Sequence, residues 1–463
     1  MNSPNEPVAT LPDGVHEPAL TDKSGTSGRG HIGLIVFGSI AAGLLLGVVL
    51  DFLVFGGSSE PVITGLALLS LAAGCALLAL LSARYTDQPQ RWARTAAICF
   101  GIAGAALLIL RPSTHALGLL GWVWPILLVV LVVWIFRESR RSLHSWSRRV
   151  LLYPALVVLM LVAVGGAVET ALEATTSNQP ASGGRTYVVA GHRLYLRCEG
   201  AGSPTVVLFN GLGERTPSWA WVQRDVAPNT RACGFDRAGE GWSGTGVGGQ
   251  DAHQLSADVH GLLAAAHIPS PYVVAGHSVG GAYALAYAMD HPSDVAGVAL
   301  IDSTTPYQFD LSWYPNFYSV AHRASGLLPP LARSGVARLY VHLAGGSLPG
   351  DAESQAQAFA SSPRELSANR VEFAELPTVL RQAKALKSLD GKPLFVLTAG
   401  AGQESGWFAA QDRLATLSTN SAQQTAQRAT HVALLDDERY AAVSARVIEA
   451  VVAAVRTGSP VSP

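Results

Sequence analysis

Ser278 is the residue whose surroundings best suit it to covalent chemistry. It stands in "AGHSVGGAYALAY", residues 275–287, with glycines at 276, 280 and 281. A serine hydroxyl is a poor nucleophile until a hydrogen-bonded base removes its proton. One way to present it to such a base is a very tight strand-to-helix turn. There the nucleophile's backbone is strained, and the residues two positions either side must be small to avoid collision. Gly276 and Gly280 meet that need within Gly-His-Ser-Val-Gly, where the strand-like "PYVVAG" runs into a helix-like segment starting at about 279. That helix also points backbone N–H groups and its positive dipole end at the oxygen that becomes negative during attack. The chemistry such a serine supports is acyl transfer.

The elements that must position it begin at about residue 185. "RTYVVAG" and "HRLYLRCEG" read as a hairpin. "PTVVLFNG", "TRACGFD", "PYVVAGHS", "VAGVALIDS" and "KPLFVLTAG" are short apolar runs ending in Gly, Asp or Ser, and helix-like stretches such as "LSADVHGLLAAAH" lie between several of them. Continuous apolar strands with helical crossovers predict a mostly parallel sheet covered on both faces. In such sheets function gathers at the carboxyl ends of the strands.

With "NGLG" after the third strand, "FDRAGEGWSG" after the fourth and "GHSVGG" after the fifth, the chain resembles the α/β-hydrolase family over roughly 185–459. Within that family it is most similar to a bacterial esterase-like subgroup reading C-x-G-x-G-x-P-T-V-V-L, DRAG-x-GWS and GHS-x-GG. The resemblance implies a doubly wound sheet with a helical cap, and the chain order nucleophile, acid, histidine. It implies oxyanion donors at the backbone N–H groups of Val279 and Leu212. The family more often has His-Gly where this chain has Asn210-Gly211; the change leaves the backbone donor in place and alters the loop's side-chain hydrogen bonds.

Of the histidines after Ser278, His431 fits the base, because it follows the last strand and precedes a helix-like C-terminal run. His291 beside Pro292 reads as a surface residue closing a helix, and His322 and His342 fall inside the cap. His277 is expected to point away from the nucleophile and to pack. Two acids stay open. Asp302 in "VALIDSTTP" follows the sixth strand, where some members carry the acid, and is preferred. Glu404 follows the seventh, the family's usual place, and is the alternative; Asp412 is a distant third. Asp236 is expected to brace its loop. The implied mechanism is an acyl-enzyme formed by Ser278, released by water, with no metal or cofactor required.

About 85 residues separate the sixth and seventh strands, too many for an ordinary loop, so a helical cap is expected at about 305–390. Its Trp313, Tyr314, Phe317 and Tyr318 either line an acyl pocket or pack the cap onto the sheet. In this fold the second and fourth strands are neighbours, which lets Cys198 and Cys233 face each other. Outside the cytoplasm they are expected to form a disulfide.

The opening third is different. The whole chain is 49% hydrophobic and 14% charged, against about a quarter charged in soluble proteins. Five apolar runs, roughly 32–55, 61–82, 93–110, 117–136 and 150–172, are each long enough to cross about 30 Å of hydrocarbon. Arginines and lysines cluster before the first run, between the second and third, and between the fourth and fifth. That alternation puts the N-terminus in the cytoplasm and the C-terminal part outside. The expected organisation is a disordered tail at 1–30, a five-span region at 31–172, a flexible linker at 173–184 and the hydrolase-like domain at 185–459. Asp51 and Glu169, near outward ends of spans, are expected to reach the interface. The net charge of −1 and the absence of a Cys-x-x-Cys give no sign of a nucleic-acid partner or a zinc site. The expected partners are a small-molecule or lipid ester and the bilayer. The competing readings are a peptidase or other chemistry of the same fold, and a catalytically silent sensor or scaffold.

Overall fold

The structure, a computed structural model, describes residues 32–86, 88–142, 146–176, 183–245 and 251–462. The tail expected at 1–30 lies outside them. The N-terminal part is a helical bundle: α1 (Ile32–Val48) continued by a π-turn at Val49–Val54, α2 (Glu60–Tyr85), α3 (Trp92–Leu110), α4 (Thr114–Leu120), α5 (Trp124–Ser142) and α6 (Trp146–Thr176). Four of these helical stretches are individually long and apolar enough to cross a membrane. The run expected at 117–136 is instead two helices, α4 and α5, bent by 47° at a break of three residues. The last helix persists four residues past the boundary expected at 172, to Thr176.

The C-terminal part is built on β1 (Gly184–Val189), β2 (His192–Glu199), β3 (Thr205–Phe209), β4 (Ala232–Asp236), β5 (Tyr272–His277), β6 (Val295–Ile301), β7 (Leu394–Ala399) and β8 (Ser421–Ala426). They form one eight-stranded sheet in the order β1-β2-β4-β3-β5-β6-β7-β8. The β1/β2 and β2/β4 pairs are antiparallel and all the others parallel. Helices α7 (Ala220–Val226), α8 (Ala252–Ala265), α9 (Val279–Asp290), α15 (Trp407–Ala415), α16 (Ala433–Asp436) and α17 (Glu438–Thr457) surround it.

The pleat divides the core. Val207 and Phe209 of β3 join Leu262, Leu263 and Leu285 from α8 and α9. Val206 and Leu208 join Val222, Val226, Ile448 and Val451 from α7 and α17. Alternate side chains leave opposite faces of a strand, so a strand covered on both sides must be apolar over most of its length, as 206–209 of β3 are. Cys198 and Cys233 occupy directly paired positions of β2 and β4 and are joined by a disulfide. Closing a loop of 35 residues is worth about 3–4 kcal/mol on the chain-entropy account.

Between β6 and β7 stand α10 (Tyr314–Ser325), α11 (Leu328–Arg333), α12 (Val336–Ala344), α13 (Asp351–Ser361) and α14 (Pro363–Ala383). This cap rests on one end of the bundle. Arg333 forks onto the Glu60 carboxylate and Arg338 onto Glu169 at 2.5 and 2.8 Å. Arg323 donates to the carbonyl of Leu53, which the π-turn leaves available, and Arg370 to that of Gly57, at 2.6 and 3.0 Å. Glu169 is therefore not an interface charge as expected: it is buried under the cap and neutralised there. Asp51 is buried as well.

Candidate active site

Ser278 links β5 to α9 with φ 54° and ψ −128°, a region that costs a non-glycine residue of order 1–3 kcal/mol. The surroundings hold it there. Its N–H donates to the Ile301 carbonyl at 3.2 Å, and its own carbonyl accepts from Thr304 N at 2.8 Å and Gly281 N at 3.1 Å. A side chain at Gly276 would overlap the backbone of Gly280, and one at Gly280 would overlap the Phe209 carbonyl. The elbow is thus lashed to the carboxyl end of β6, where Asp302 begins the next loop.

Asp302 is fully buried and accepts four hydrogen bonds: His431 Nδ1 at 2.6 Å, Trp407 Nε1 at 2.9 Å, Ala399 N at 3.1 Å and Gln403 Nε2 at 3.2 Å. Burial pushes its pKa up, but the bonds from His431, Trp407 and Ala399 outweigh burial and hold the carboxyl below its usual range. An ionised carboxylate can only accept. The bond to His431 therefore fixes the proton on Nδ1 and leaves the lone pair on Nε2. Glu404 is exposed, and among the described residues its carboxylate has no partner. Asp412 is exposed on α15. Asp236 accepts from Thr216 N and Oγ1 at 2.8 Å and from Trp242 N at 3.0 Å, tying two loops together.

His277 does more than pack. Its Nε2 donates to the His431 carbonyl at 3.0 Å, and the two rings lie 4.5 Å apart. Its Nδ1 bonds the Glu214 carboxylate, which also accepts from Gly211 N at 2.5 Å. One chain of contacts therefore runs from the loop after β3 to the backbone of His431. Burial lowers the His277 pKa, yet the Glu214 charge and hydrogen bond more than reverse this and raise it. Burial raises that of Glu214, and the His277 charge and hydrogen bond more than reverse that and lower it. The imidazolium's contribution to stability is full below about pH 6.5 and is lost as pH rises through its raised value. The carboxylate's is full above about pH 4.3 and is lost as pH falls through its depressed value. Glu214→Ala removes the group that raises the His277 pKa and leaves the buried ring without its Nδ1 partner, and should cost about 1–3 kcal/mol in urea unfolding near pH 6. The Glu214→Ala/His277→Ala double variant should cost less than the sum of the two singles.

The loop after β3 is held by buried polar and charged groups. Arg237 donates to the carbonyls of Asn210 and Gly211 at 2.7 and 3.0 Å and to Glu372 at 2.8 Å. Asn210 Nδ2 donates to the Phe235 carbonyl at 2.7 Å. Arg215 bonds Glu365 and Asn369, both at 2.6 Å, and Glu240 lies against both guanidinium groups at 3.0–3.3 Å. Among the described residues neither Val279 N nor Leu212 N has a hydrogen-bond acceptor. Sequence reasoning missed Glu214, Arg215, Arg237 and Glu240 as parts of this support. The available signal was their position: charges in "GLGER" and "DRAGE", directly after apolar strands.

Of the cap aromatics, Trp313, Tyr314 and Tyr318 pack against the core beneath α14, and Phe317 is exposed. His322 stacks on Tyr318, and His342 is exposed on α12. One group with metal-ligating atoms occurs among the described residues: His260, His291 and Asp294, with those atoms within 4.8 Å of one another. His291 caps the far end of α9, a 12-residue helix, so the group lies about 18 Å from the elbow.

The model of the family described as the alpha/beta hydrolase fold matches residues 204–438. The probable transporter efuK of Hormonema carpetanum is 30% identical over 126 residues, 26% of this chain and 18% of that protein. The protein YqjL of Bacillus subtilis is 28% identical over 119 residues, 26% of this chain and 47% of that one. This chain thus spans less than half the length of either relative. Among solved structures, the Cif epoxide hydrolase from Acinetobacter nosocomialis superposes with a TM-score of 0.49 at 16% identity, covering 62% of this chain and 96% of that one. The family match takes in just over half of the sequence, and the sheet order and strand-to-helix elbow agree with it: the chain belongs to the α/β-hydrolase fold family.

Proposed function

We propose that the chain is a membrane-anchored serine hydrolase that cleaves carboxylic esters through an acyl-enzyme. The observation that carries this reading is the 2.6 Å bond from His431 Nδ1 to the buried Asp302 carboxylate, formed beside a serine held in a strained turn. In the proposed reaction His431 Nε2 takes the Ser278 proton as the hydroxyl oxygen attacks the ester carbonyl. The N–H groups of Val279 and Leu212 hold the tetrahedral oxyanion. The imidazolium then protonates the departing alcohol, and water attacks the acyl-enzyme with the same base. Asp302 stays ionised and keeps the imidazole in one tautomer.

The placement across a membrane is part of the same proposal. The bundle exposes Leu44, Leu45, Ile98, Ile102, Ile126, Leu127 and Leu161, a surface suited to hydrocarbon and costly in water. Glu60, Arg111 and Glu169 lie at the end that meets the cap, while Arg84, Arg91, Arg94, Arg137, Arg140 and Arg141 lie at or near the far ends of their helices. The positive-inside tendency then puts the cap and sheet outside, in keeping with the disulfide. Gly335, which opens α12, packs against Gly165 of α6, 11 residues before that helix ends and so about 16 Å below its tip. Val336, Leu339, Tyr340 and Leu343 of α12 are exposed there. This supports an ester drawn from the outer leaflet.

The test is labelling with a fluorophosphonate probe on the full chain in mild detergent. Labelling of the natural sequence that vanishes in Ser278→Ala is the expected result. Absence of Ser278-dependent labelling would favour a silent domain.

A further inference from the structure

A cavity of about 670 Å³ lies where the bundle meets the cap. Its walls come from both parts of the chain. The bundle contributes Arg111, His115, Leu119 and Trp122, and α14 contributes Arg370 and Val371. Of the carboxylates in the wall, Glu60 is engaged by Arg333 and Asp258 by His192, and Glu173, which accepts from the neutral Ser362 hydroxyl and Arg364 N, interacts with the charge of Arg333.

Of the three guanidinium groups in the wall, Arg364 lies 3.6 Å from the Glu365 carboxylate, and the other two are not balanced in this way. Arg370 is half-buried and, among the described residues, donates to the Gly57 carbonyl alone; burial lowers its pKa with no carboxylate among them opposing the shift. Arg111, at the left-handed cap of α3, has no carboxylate partner among the described residues. A partly desolvated guanidinium facing a cavity without a counter-charge favours an anion with several acceptor oxygens, because its fork matches them two at a time. Below this pair Leu119 and Trp122 present exposed apolar faces at the α4–α5 bend.

We propose that this junction cavity binds a phosphate group through Arg370 and Arg111. The wall formed by Leu119 and Trp122 favours a phosphate carried by a lipid, whose chains would lie along the α4–α5 bend. That source, though not the phosphate chemistry, rests on the membrane placement proposed above. Arg370 shares α14 with Glu365, Asn369 and Glu372, which hold Arg215 and Arg237 beneath the oxyanion loop. Ala238 and Gly239, between Arg237 and Glu240, also line the cavity, so the occupant would sit beside that support.

The experiment is calorimetric binding to the full chain in detergent, in a Ser278→Ala background so that no ligand is hydrolysed. The ligands are dioctanoyl phosphatidylglycerol, dioctanoylglycerol and inorganic phosphate. Phosphatidylglycerol should bind at least about tenfold more tightly than the phosphate-free diacylglycerol. Arg370→Gln and Arg111→Gln should each weaken it about tenfold, as expected for losing a charge-assisted pair. Arg370→Lys should recover part of the loss and shows that the fold is intact. Binding of phosphatidylglycerol well above that of inorganic phosphate supports the lipid source. Equal binding of the two, lost in Arg370→Gln, supports a free phosphate. Binding that does not distinguish phosphatidylglycerol from diacylglycerol, or that neither arginine variant alters, overturns the proposal. Because binding is the readout and Ser278 is absent throughout, the outcome is separate from whether the chain is a hydrolase.

Discussion

Ser278→Ala and His431→Ala should each lower kcat toward a short-chain aryl ester by roughly 10⁶-fold, and the double variant should be no worse than either single. In the proposed mechanism the two groups perform one step. Without the hydroxyl there is nothing for the imidazole to deprotonate. Without the imidazole the hydroxyl stays un-ionised near neutral pH. What remains is binding and the proposed oxyanion donors, Val279 N and Leu212 N, which have no acceptor among the described residues, and such preorganised donors still leave about 10³–10⁴-fold over water. The check is initial-rate kinetics, with the fraction of folded enzyme measured by unfolding in each variant. Equal activity of Ser278→Ala and the natural sequence would remove the serine mechanism. Additive losses in the double variant would mean that the two side chains act in separate steps.

The parts of this architecture that could be read from the sequence are those set by short-range rules. "TVVLF" announces a strand covered on both faces because all five of its residues are buried. Ser278 is legible because a strained strand-to-helix turn tolerates few residues at 276 and 280. By contrast "SAQQTA" gives no apolar signal for β8, an edge strand that buries only Ala422 and Ala426. The break between α4 and α5 is hidden inside a uniformly apolar run, since hydropathy does not register a bend. The support of the site was illegible for a different reason. Arg215 meets Glu365 across 150 positions, Arg237 meets Glu372 across 135, and His277 meets His431 across 154. Each is an ordinary charged or polar residue locally. Its role exists only once the cap and the sheet are assembled. The same holds for Glu60 and Glu169, which look like interface charges until Arg333 and Arg338 arrive from the cap.

The choice of acid turns on that kind of long-range contact, and it yields the second large effect. Asp302→Asn should lower kcat roughly 10⁴-fold, while Glu404→Gln should change it less than about twofold. Asp302 draws its four donors from different places: His431 in the β8–α16 loop, the last backbone N–H of β7, the Gln403 side chain after that strand, and the indole that opens α15. An asparagine there is nearly the same shape but can present an N–H toward His431 Nδ1. The imidazole would then turn its lone pair to Nδ1 and its proton to Nε2, away from the tautomer that can accept from Ser278. The loss should fall on kcat, leave KM within a few-fold, and leave the Ser278 backbone bonds to Ile301 and Thr304 in place. A carboxylate held below its usual range also contributes stability that is present above about pH 3.9 and is lost as pH falls through its depressed value. Asp302→Asn should therefore flatten the acid limb of the unfolding free energy, and Glu404→Gln, on an exposed side chain, should not. If instead Glu404→Gln abolishes activity while Asp302→Asn retains it, the acid reaches His431 from the loop after β7, and that loop must move on binding substrate.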